Sequence, residues 1–232
     1  MHAQMHLEAH LQNMHLWRGM EVTDGFVLTT DLSVTDKKEH FRAGLWGGTN
    51  QNGSYKEFDY YLSYTWRRFN IAVWDIYNFS PGAEYNNEEF FNYKSKETGR
   101  FIDATLSYTL SERYPLHLSW STILYGRDRD EQNGKNRYST FIYVEYPVWK
   151  SDKWEVSPGM GGAFALSSGK DANGYSTSRH FYGTSAGIVH LSLVTTYQLF
   201  AFKKTFPVTV LALWNPQNNK GFLQIGVRLL SL

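Results

Sequence analysis

The chain has 232 residues with 23 basic and 22 acidic side chains, and its net charge of +1 leaves no broad basic field for nucleic acid. Cysteine is absent, which removes disulfides, zinc–thiolate sites and thiol nucleophiles together. Aromatic residues make up 17% of the chain while the mean hydropathy is only −0.46, so any large apolar surface must be interleaved with polar residues.

Read in order, period-two segments recur from end to end, with no long stretch at helical spacing. The first, about His6 to Trp17, sets Leu7, Ala9 and Leu11 against Glu8, His10 and Gln12. The second, about Val22 to Val34, sets Phe26, Leu28, Leu32 and Val34 against Thr29, Asp31 and Ser33. The third, about Phe41 to Gly48, sets Phe41, Ala43 and Leu45 against Arg42, Gly44 and Trp46. The fourth, about Tyr55 to Arg67, is the clearest: Phe58, Tyr60, Leu62, Tyr64 and Trp66 oppose Asp59, Tyr61, Ser63, Thr65 and Arg67. The fifth, about Asn70 to Phe79, presents Ala72, Trp74 and Ile76 opposite Asp75.

The sixth, about Arg100 to Leu110, places Ile102, Ala104, Leu106 and Tyr108 against Asp103, Thr105 and Ser107. The seventh, about Pro115 to Tyr125, places Leu116, Leu118, Trp120 and Leu124 against His117, Ser119 and Ser121. The eighth, about Arg137 to Tyr146, places Ile142, Val144 and Tyr146 against Tyr143 and Glu145. The ninth, about Lys153 to Leu166, places Trp154, Val156, Met160 and Phe164 against Glu155, Ser157 and two glycines. The tenth, about Ser185 to Gln198, places Val189, Leu191, Leu193 and Tyr197 against His190, Ser192 and Gln198. The eleventh, about Phe206 to Trp214, is the least polar, and the twelfth, about Gly221 to Ser231, sets Leu223, Ile225, Val227 and Leu229 against Gln224 and Arg228.

The connections alternate in length. Short ones lie near Asp36-Lys37-Lys38, Arg68-Phe69, Ser111-Glu112-Arg113 and Lys150-Ser151-Asp152, and a slightly longer one holds Lys203-Lys204. Between them come Thr49 to Gly53, an acidic stretch from Ser80 to Gly99, Gly126 to Asn136, Ser167 to His180, and the brief Asn215 to Lys220. Short turns on one side and longer loops on the other are the rhythm of outer-membrane barrels. The expected fold is therefore all-β: a transmembrane, antiparallel, up-and-down β-barrel of about twelve strands, spanning residues 1–232, with both termini periplasmic.

Hydrocarbon supplies no hydrogen bonds, so a spanning sheet must close on itself and turn one face to lipid. A basic side chain on that face at the bilayer midplane costs about 2–4 kcal/mol, and the apolar faces above carry almost no charge. A water-soluble sandwich or lipocalin-like barrel alternates too; the aromatic load, the loop rhythm and the extent of apolar surface argue for the membrane. No run of about 18 apolar residues exists, so no spanning helix is expected. The opening Met1-His2-Ala3-Gln4-Met5-His6 lacks a charged and an apolar leader region, so a leader that was removed or replaced is expected.

The segments Asn13-Met14-His15-Leu16-Trp17-Arg18-Gly19, Lys56-Glu57-Phe58-Asp59-Tyr60-Tyr61 and Trp74-Asp75-Ile76-Tyr77-Asn78-Phe79-Ser80-Pro81-Gly82 resemble a family of outer-membrane barrels from Bacteroides-type bacteria, grouped with TorF-like porins. Gly126-Arg127-Asp128-Arg129-Asp130 and Asn136-Arg137-Tyr138-Ser139-Thr140 add to the likeness, which runs over most of the chain. The resemblance implies a barrel and a channel, with no solute named. Many outer-membrane proteins end in an aromatic residue, whereas this chain ends in Leu232.

Seven acids fall on the expected inner faces: Glu8, Asp31, Asp59, Asp75, Asp103, Glu145 and Glu155. Arg42, Arg67 and Arg228 stand against them, with His10, His117 and His190. They read either as a charge-lined path with a mild preference for cations or as ion pairs that brace the wall. Trp46, Tyr61, Tyr125 and Tyr143 are candidates to narrow the lumen or to stack a sugar. His117, Ser119, Ser121 and Asp103 could compose a lipid-modifying hydrolase, although serines commonly fill lumens. His2, His6, His10 and His15 are spaced as strand residues and not as a metal site. Glu84, Glu88 and Glu89 lie in a loop that lacks a calcium-binding pattern.

The functional expectation is a porin or channel for passive diffusion of small hydrophilic solutes, not an enzyme; the alternatives are a non-conducting scaffold and a barrel enzyme. Expected partners are membrane lipid, small polar solutes and other outer-membrane proteins, with no nucleic acid, cofactor or metal. Pattern does not decide whether the long loops 80–99 and 167–183 enter the lumen.

Overall fold

The computed structural model describes residues 3–232; His2 and its expected strand-type spacing lie outside the described residues. No helix occurs among the described residues. Twelve strands pair antiparallel in chain order, and the last returns to the first, so the sheet is closed. They are β1 (Gln4–Trp17), β2 (Met20–Thr35), β3 (Phe41–Asn50), β4 (Lys56–Trp66), β5 (Phe69–Asn78) and β6 (Phe101–Thr109), then β7 (His117–Gly126), β8 (Ser139–Glu145), β9 (Trp154–Ala165), β10 (Gly187–Ala201), β11 (Lys204–Asn215) and β12 (Lys220–Ser231). Each expected strand is present, its ends displaced by at most three residues. Beyond β8 the pair Trp149–Lys150 resumes pairing with β9, and a ribbon of Gly169–Lys170 and Ser176–Thr177 lies within the long loop after β9.

Local chemistry explains the tight turns. Arg18 and Gly19 join β1 to β2 with φ of 47° and 87°, and Phe202 and Lys203 join β10 to β11 with φ of 52° and 61°. Positive φ at both central residues matches the twist of the paired strands. With twelve strands, the termini and the turns after even-numbered strands share one end of the barrel, and the long loops share the other with the tight Arg18-Gly19 turn.

The outward face carries the greasy residues. Leu28, Leu32, Leu62, Val73, Leu106, Trp120, Met160, Leu193, Leu223 and Ile225 are all large apolar side chains left exposed. Near the turn end, outward aromatics pair across strands, with Phe69–Tyr108, Trp154–Tyr197 and Phe41–Tyr64 centroids 4.4, 4.5 and 4.7 Å apart. The inward face mixes polar groups with an apolar cluster of Ile76, Phe101, Ile123, Phe141, Ala163, Tyr182 and Val189 at the loop end.

Four expected placements are corrected. In β5 the faces are reversed: Ala72, Trp74 and Ile76 point inward, while Phe69, Ile71 and Val73 are exposed outside. Asp75 shares their parity and so stands on the outer wall, not in the lumen. It survives there because the loop 79–100 lies over it: Arg100 Nη1 donates to Asp75 at 2.7 Å and the Tyr93 hydroxyl donates at 2.8 Å. Arg100 is itself 1% exposed, seated on the rings of Phe90 and Tyr77 at 4.3 and 4.6 Å. Tyr125 points outward as well, its hydroxyl donating to the Tyr93 carbonyl. Arg67 occupies the β4–β5 turn with φ of 55°, exposed, its guanidinium 4.8 Å from the ring of outward-facing Trp66. Val189 is fully buried inside, because a register shift opposite Gly161 and Gly162 turns both Val189 and His190 inward.

Gly44 on β3 faces the lumen directly across from Tyr61 on β4, and a Cβ there would lie 2.4 Å from the tyrosine ring. The glycine lets Tyr61 lie flat against the wall, where it stacks on Trp74 with centroids 4.1 Å apart. Gly44→Val is therefore expected to lower stability by about 1–3 kcal/mol through overpacking, measured as a shift of the urea midpoint of the detergent-folded protein. An unchanged midpoint would show that Tyr61 is free to move away.

Candidate functional site: the lumen and its plug

The upper end of β1 does not follow the wall. Its pairing with β2 is interrupted between Gln12 and Met14 and again between His15 and Leu16, and its ladder with β12 stops at Gln12. Above that point side chains replace the missing ladder. Asn13 Nδ2 donates to the Leu223 carbonyl at 3.0 Å, and its Oδ1 accepts from the Ile225 amide at 2.7 Å. Gln224 donates to the Met14 carbonyl at 2.7 Å, and Asn215 donates to the Gly19 carbonyl at 2.9 Å. Released from the sheet, the β1–β2 tip leans across the opening. A Cβ on Gly19 would sit 2.1 Å from the Val189 carbonyl oxygen, so only glycine permits this approach.

The tip carries Trp17 and Arg18 into the barrel. Arg18 reaches Asp103 on β6 with two hydrogen bonds, 2.6 and 2.7 Å, and donates to the Tyr182 hydroxyl at 2.7 Å. Both charges are withdrawn from solvent, with side-chain exposures of 13% and 1%. Trp17 packs on Phe101, Phe181 and Tyr182 with centroids 5.4–5.8 Å away. Phe181 and Tyr182 belong to the loop 166–186, which therefore folds into the lumen. That loop is tied down by a relay: Asp128 accepts from the Ser139 hydroxyl at 2.7 Å, and Ser139 Oγ accepts from the Phe181 amide at 2.8 Å. Burial pushes the Asp128 carboxyl above the usual carboxylate range, against the pull of the two Ser139 bonds. At the rim, Glu131 accepts from Arg179 and from the Ala172 amide, which hold its carboxyl below the usual range.

Tip and loop fill the mouth on the β7–β10 side. On the other side two cavities remain, stacked along β1–β6. The upper has a volume of about 570 Å³ and is bounded by Trp17, Tyr55, Glu57, Asp59, Asp103 and Arg127, among others. The lower has about 470 Å³ and is bounded by Glu8, His10, Asp31, Arg42, Tyr61 and Asn70. Trp46, Trp74 and Thr105 line both, so these side chains stand between the two spaces.

The sequence-predicted residues are distributed accordingly. Glu8, Asp31, Arg42, Trp46 and Tyr61 border the lower cavity, where the Tyr61 hydroxyl donates to the Asp31 carboxylate at 2.9 Å. Glu8 lies 3.3 Å from His10 and 3.6 Å from Arg228, forming a cluster across the β1–β12 seam. Asp59 and Asp103 border the upper cavity, Asp59 accepting from the Tyr77 amide at 3.0 Å. On the opposite wall Tyr143 donates to Glu145 at 2.7 Å and packs against His190, His117 stands across from Glu145, and Glu155 pairs with Lys150 at 2.8 Å. Arg67 and Asp75 join none of these groups.

The hydrolase constellation does not assemble, because Asp103 is engaged by Arg18 and the Ser121 hydroxyl is bonded to Thr105 at 2.8 Å. His6 bonds Thr35, His10 bonds Glu8, and His15 lies on Trp46 and Tyr55, so these histidines do not converge. In the acidic loop, Glu89 accepts from Asn86 and Asn92. The sequence pattern singled out none of Trp17, Arg18, Glu57, Arg127 and Tyr182 for the lumen, and it placed Trp74 on the outer face. The signal for Arg18 was present: a two-residue turn at Arg18-Gly19 ends a strand whose polar side already pointed inward.

No protein-family model matches this chain, and no curated protein matches it in sequence. Among solved structures, an outer membrane channel from Pseudomonas putida F1 aligns with a TM-score of 0.42 at 12% identity, over 97% of this chain and 93% of that one. That agreement is too loose to carry a function across.

Breaking one partner of a buried ion pair strands the other charge. Arg18→Ala is expected to cost about 3 kcal/mol in a urea titration, whereas an Arg18→Met, Asp103→Leu pair costs much less. Equal losses for the single and double variants would show that the charges brace nothing.

Proposed function

We propose that the protein is an outer-membrane channel whose lumen is narrowed to a single aromatic neck. What carries this reading is the pair of cavities on either side of Trp46 and Trp74, placed inside a barrel whose outer wall exposes large apolar side chains on strand after strand. An exposed apolar surface of this extent marks a membrane-embedded face. The cross-strand aromatics near the turn end suit a bilayer interface, where amphipathic rings settle. The resemblance to TorF-like porins of Bacteroides-type bacteria points the same way. In this setting the turn end with both termini faces the periplasm, and the loop end with its strap 79–100 faces outward.

Twelve strands lie between two regimes. Eight-stranded barrels are filled by their own side chains, and barrels of 16–18 strands leave an aqueous channel. Side chains therefore decide the outcome at this size. Here the plug occupies one half of the mouth, and the β1–β6 half keeps space lined by Glu8, Asp31, Arg42 and Asp59. Small hydrophilic solutes would pass beside the Arg18–Asp103 bridge, by way of the tryptophan neck. The competing reading, a non-conducting subunit of an outer-membrane assembly, draws on the same plug: the bidentate bridge and the packed Trp17, Phe181 and Tyr182 rings close part of the bore.

Planar bilayers distinguish the two. The purified protein is expected to give discrete conductance steps, and Trp74→Ala is expected to raise their size by opening the neck. Folded protein that stays silent both as wild type and as Trp74→Ala would favour the scaffold.

A further inference from the structure

The upper cavity holds an imbalance of charge. Glu57 and Asp59 occupy alternate positions of β4 and share its inner face. Glu57 accepts one hydrogen bond from the Asn78 side chain at 3.0 Å, and Asp59 accepts one from the Tyr77 amide. Among the described residues neither has an ion-pair partner within 4.0 Å. Asp103 is neutralised by Arg18, and the remaining guanidinium, Arg127, lies 3.8 Å from the ring of Tyr85. Arg127 lines the same cavity and offsets one of the two carboxylates, so one negative charge is left over, and a carboxylate withdrawn from water without a counter-charge is costly unless a cation joins it.

The walls specify what sort of cation. Tyr55 borders this space at 2% exposure, and its phenolic oxygen has no hydrogen-bond partner. Its ring stacks on His15, which lies in turn against Trp46, while Trp74 closes the floor. A cation among ring faces gains from their negative quadrupoles, as quaternary ammonium groups do in aromatic cages. A metal ion fits less well, since no group of three metal-ligating side chains converges among the described residues. A volume of about 570 Å³ lies within the range of small-molecule sites, roughly 300–1,000 Å³.

The geometry points to a binding site in this cavity for a small organic ammonium ion, held by Glu57 and Asp59 and faced by Tyr55, Trp46 and Trp74. This deepens the channel reading by naming its solute class, and it rests on that reading only for passage and not for binding, because occupancy is measurable without conduction.

The test is titration calorimetry on the full-length protein folded in detergent, with choline as probe and its uncharged carbon isostere 3,3-dimethylbutan-1-ol as comparator. Choline is expected to saturate one site and the isostere to bind about tenfold or more weakly. Asp59→Asn and Glu57→Gln are expected to weaken choline by a similar factor. Equal binding of the isostere, preference for glucose, or no saturable choline binding to the wild type would overturn the proposal, and the wild-type comparison stands even if a variant fails to fold. A protein that binds choline but never conducts keeps the site and loses the channel; one that conducts without binding choline does the reverse.

Discussion

Every backbone amide in the wall has to find a partner inside the wall, and the seam between β1 and β12 is where that demand is hardest to meet. Along most of the barrel neighbouring strands come from hairpins, so pairing is local. β1 and β12 lie at opposite ends of the chain, and the backbone pairing that joins them covers only Leu7 to Gln12 of β1. Above it, the Asn13 amide imitates a strand residue, donating to Leu223 and accepting from Ile225. That substitution satisfies β12 while freeing the tip of the β1–β2 hairpin. Without it, the tip would either have to rejoin the wall or leave unpaired amides, each costing about 1–3 kcal/mol when buried.

The freed tip determines the lumen. Gly19 lets it press on Val189, Trp17 joins the apolar cluster, and Arg18 crosses to Asp103. The loop 166–186 then packs its Phe181 and Tyr182 against the tip, and Ser139 and Asp128 tie that loop down. The unfilled half of the bore follows from what these groups do not reach. A different device operates outside: the strap 79–100 shields Asp75 and Arg100, a charged pair that an exposed outer wall could not otherwise carry. In the proposed membrane setting, the strap would bring it out of contact with lipid.

Most of the wall was legible from the sequence, because alternation survives in single strands such as Phe58 to Trp66. Parity was lost where both faces are apolar. In β5, Ile71 and Val73 compete with Ala72, Trp74 and Ile76, and the lone Asp75 suggested the wrong side. The turn held the answer: a two-residue connection at Arg67-Arg68 pairs Trp66 with Phe69 on one face, which fixes Ile71 and Val73 outward. Val189 was misplaced because a register shift breaks period two without any local mark beyond Gly161-Gly162. The plug was not legible, since it depends on contacts between Arg18, Asp103 and Tyr182, which are far apart in the chain. Asp31 and Trp46, which border the lower cavity, come from strands with one clean polar face, where alternation alone places a side chain inward.

In the proposed membrane setting the outer side of the wall meets hydrocarbon, and tryptophan can report that directly. Of the eight tryptophans, Trp120 stands exposed on the outer face and Trp46 borders both internal cavities. Two variants, each keeping one of these and replacing the other seven by phenylalanine, would be folded into bilayers containing lipids brominated along their acyl chains. The account predicts strong quenching of Trp120 fluorescence and little of Trp46; comparable quenching of both, or stronger quenching of Trp46, would contradict it.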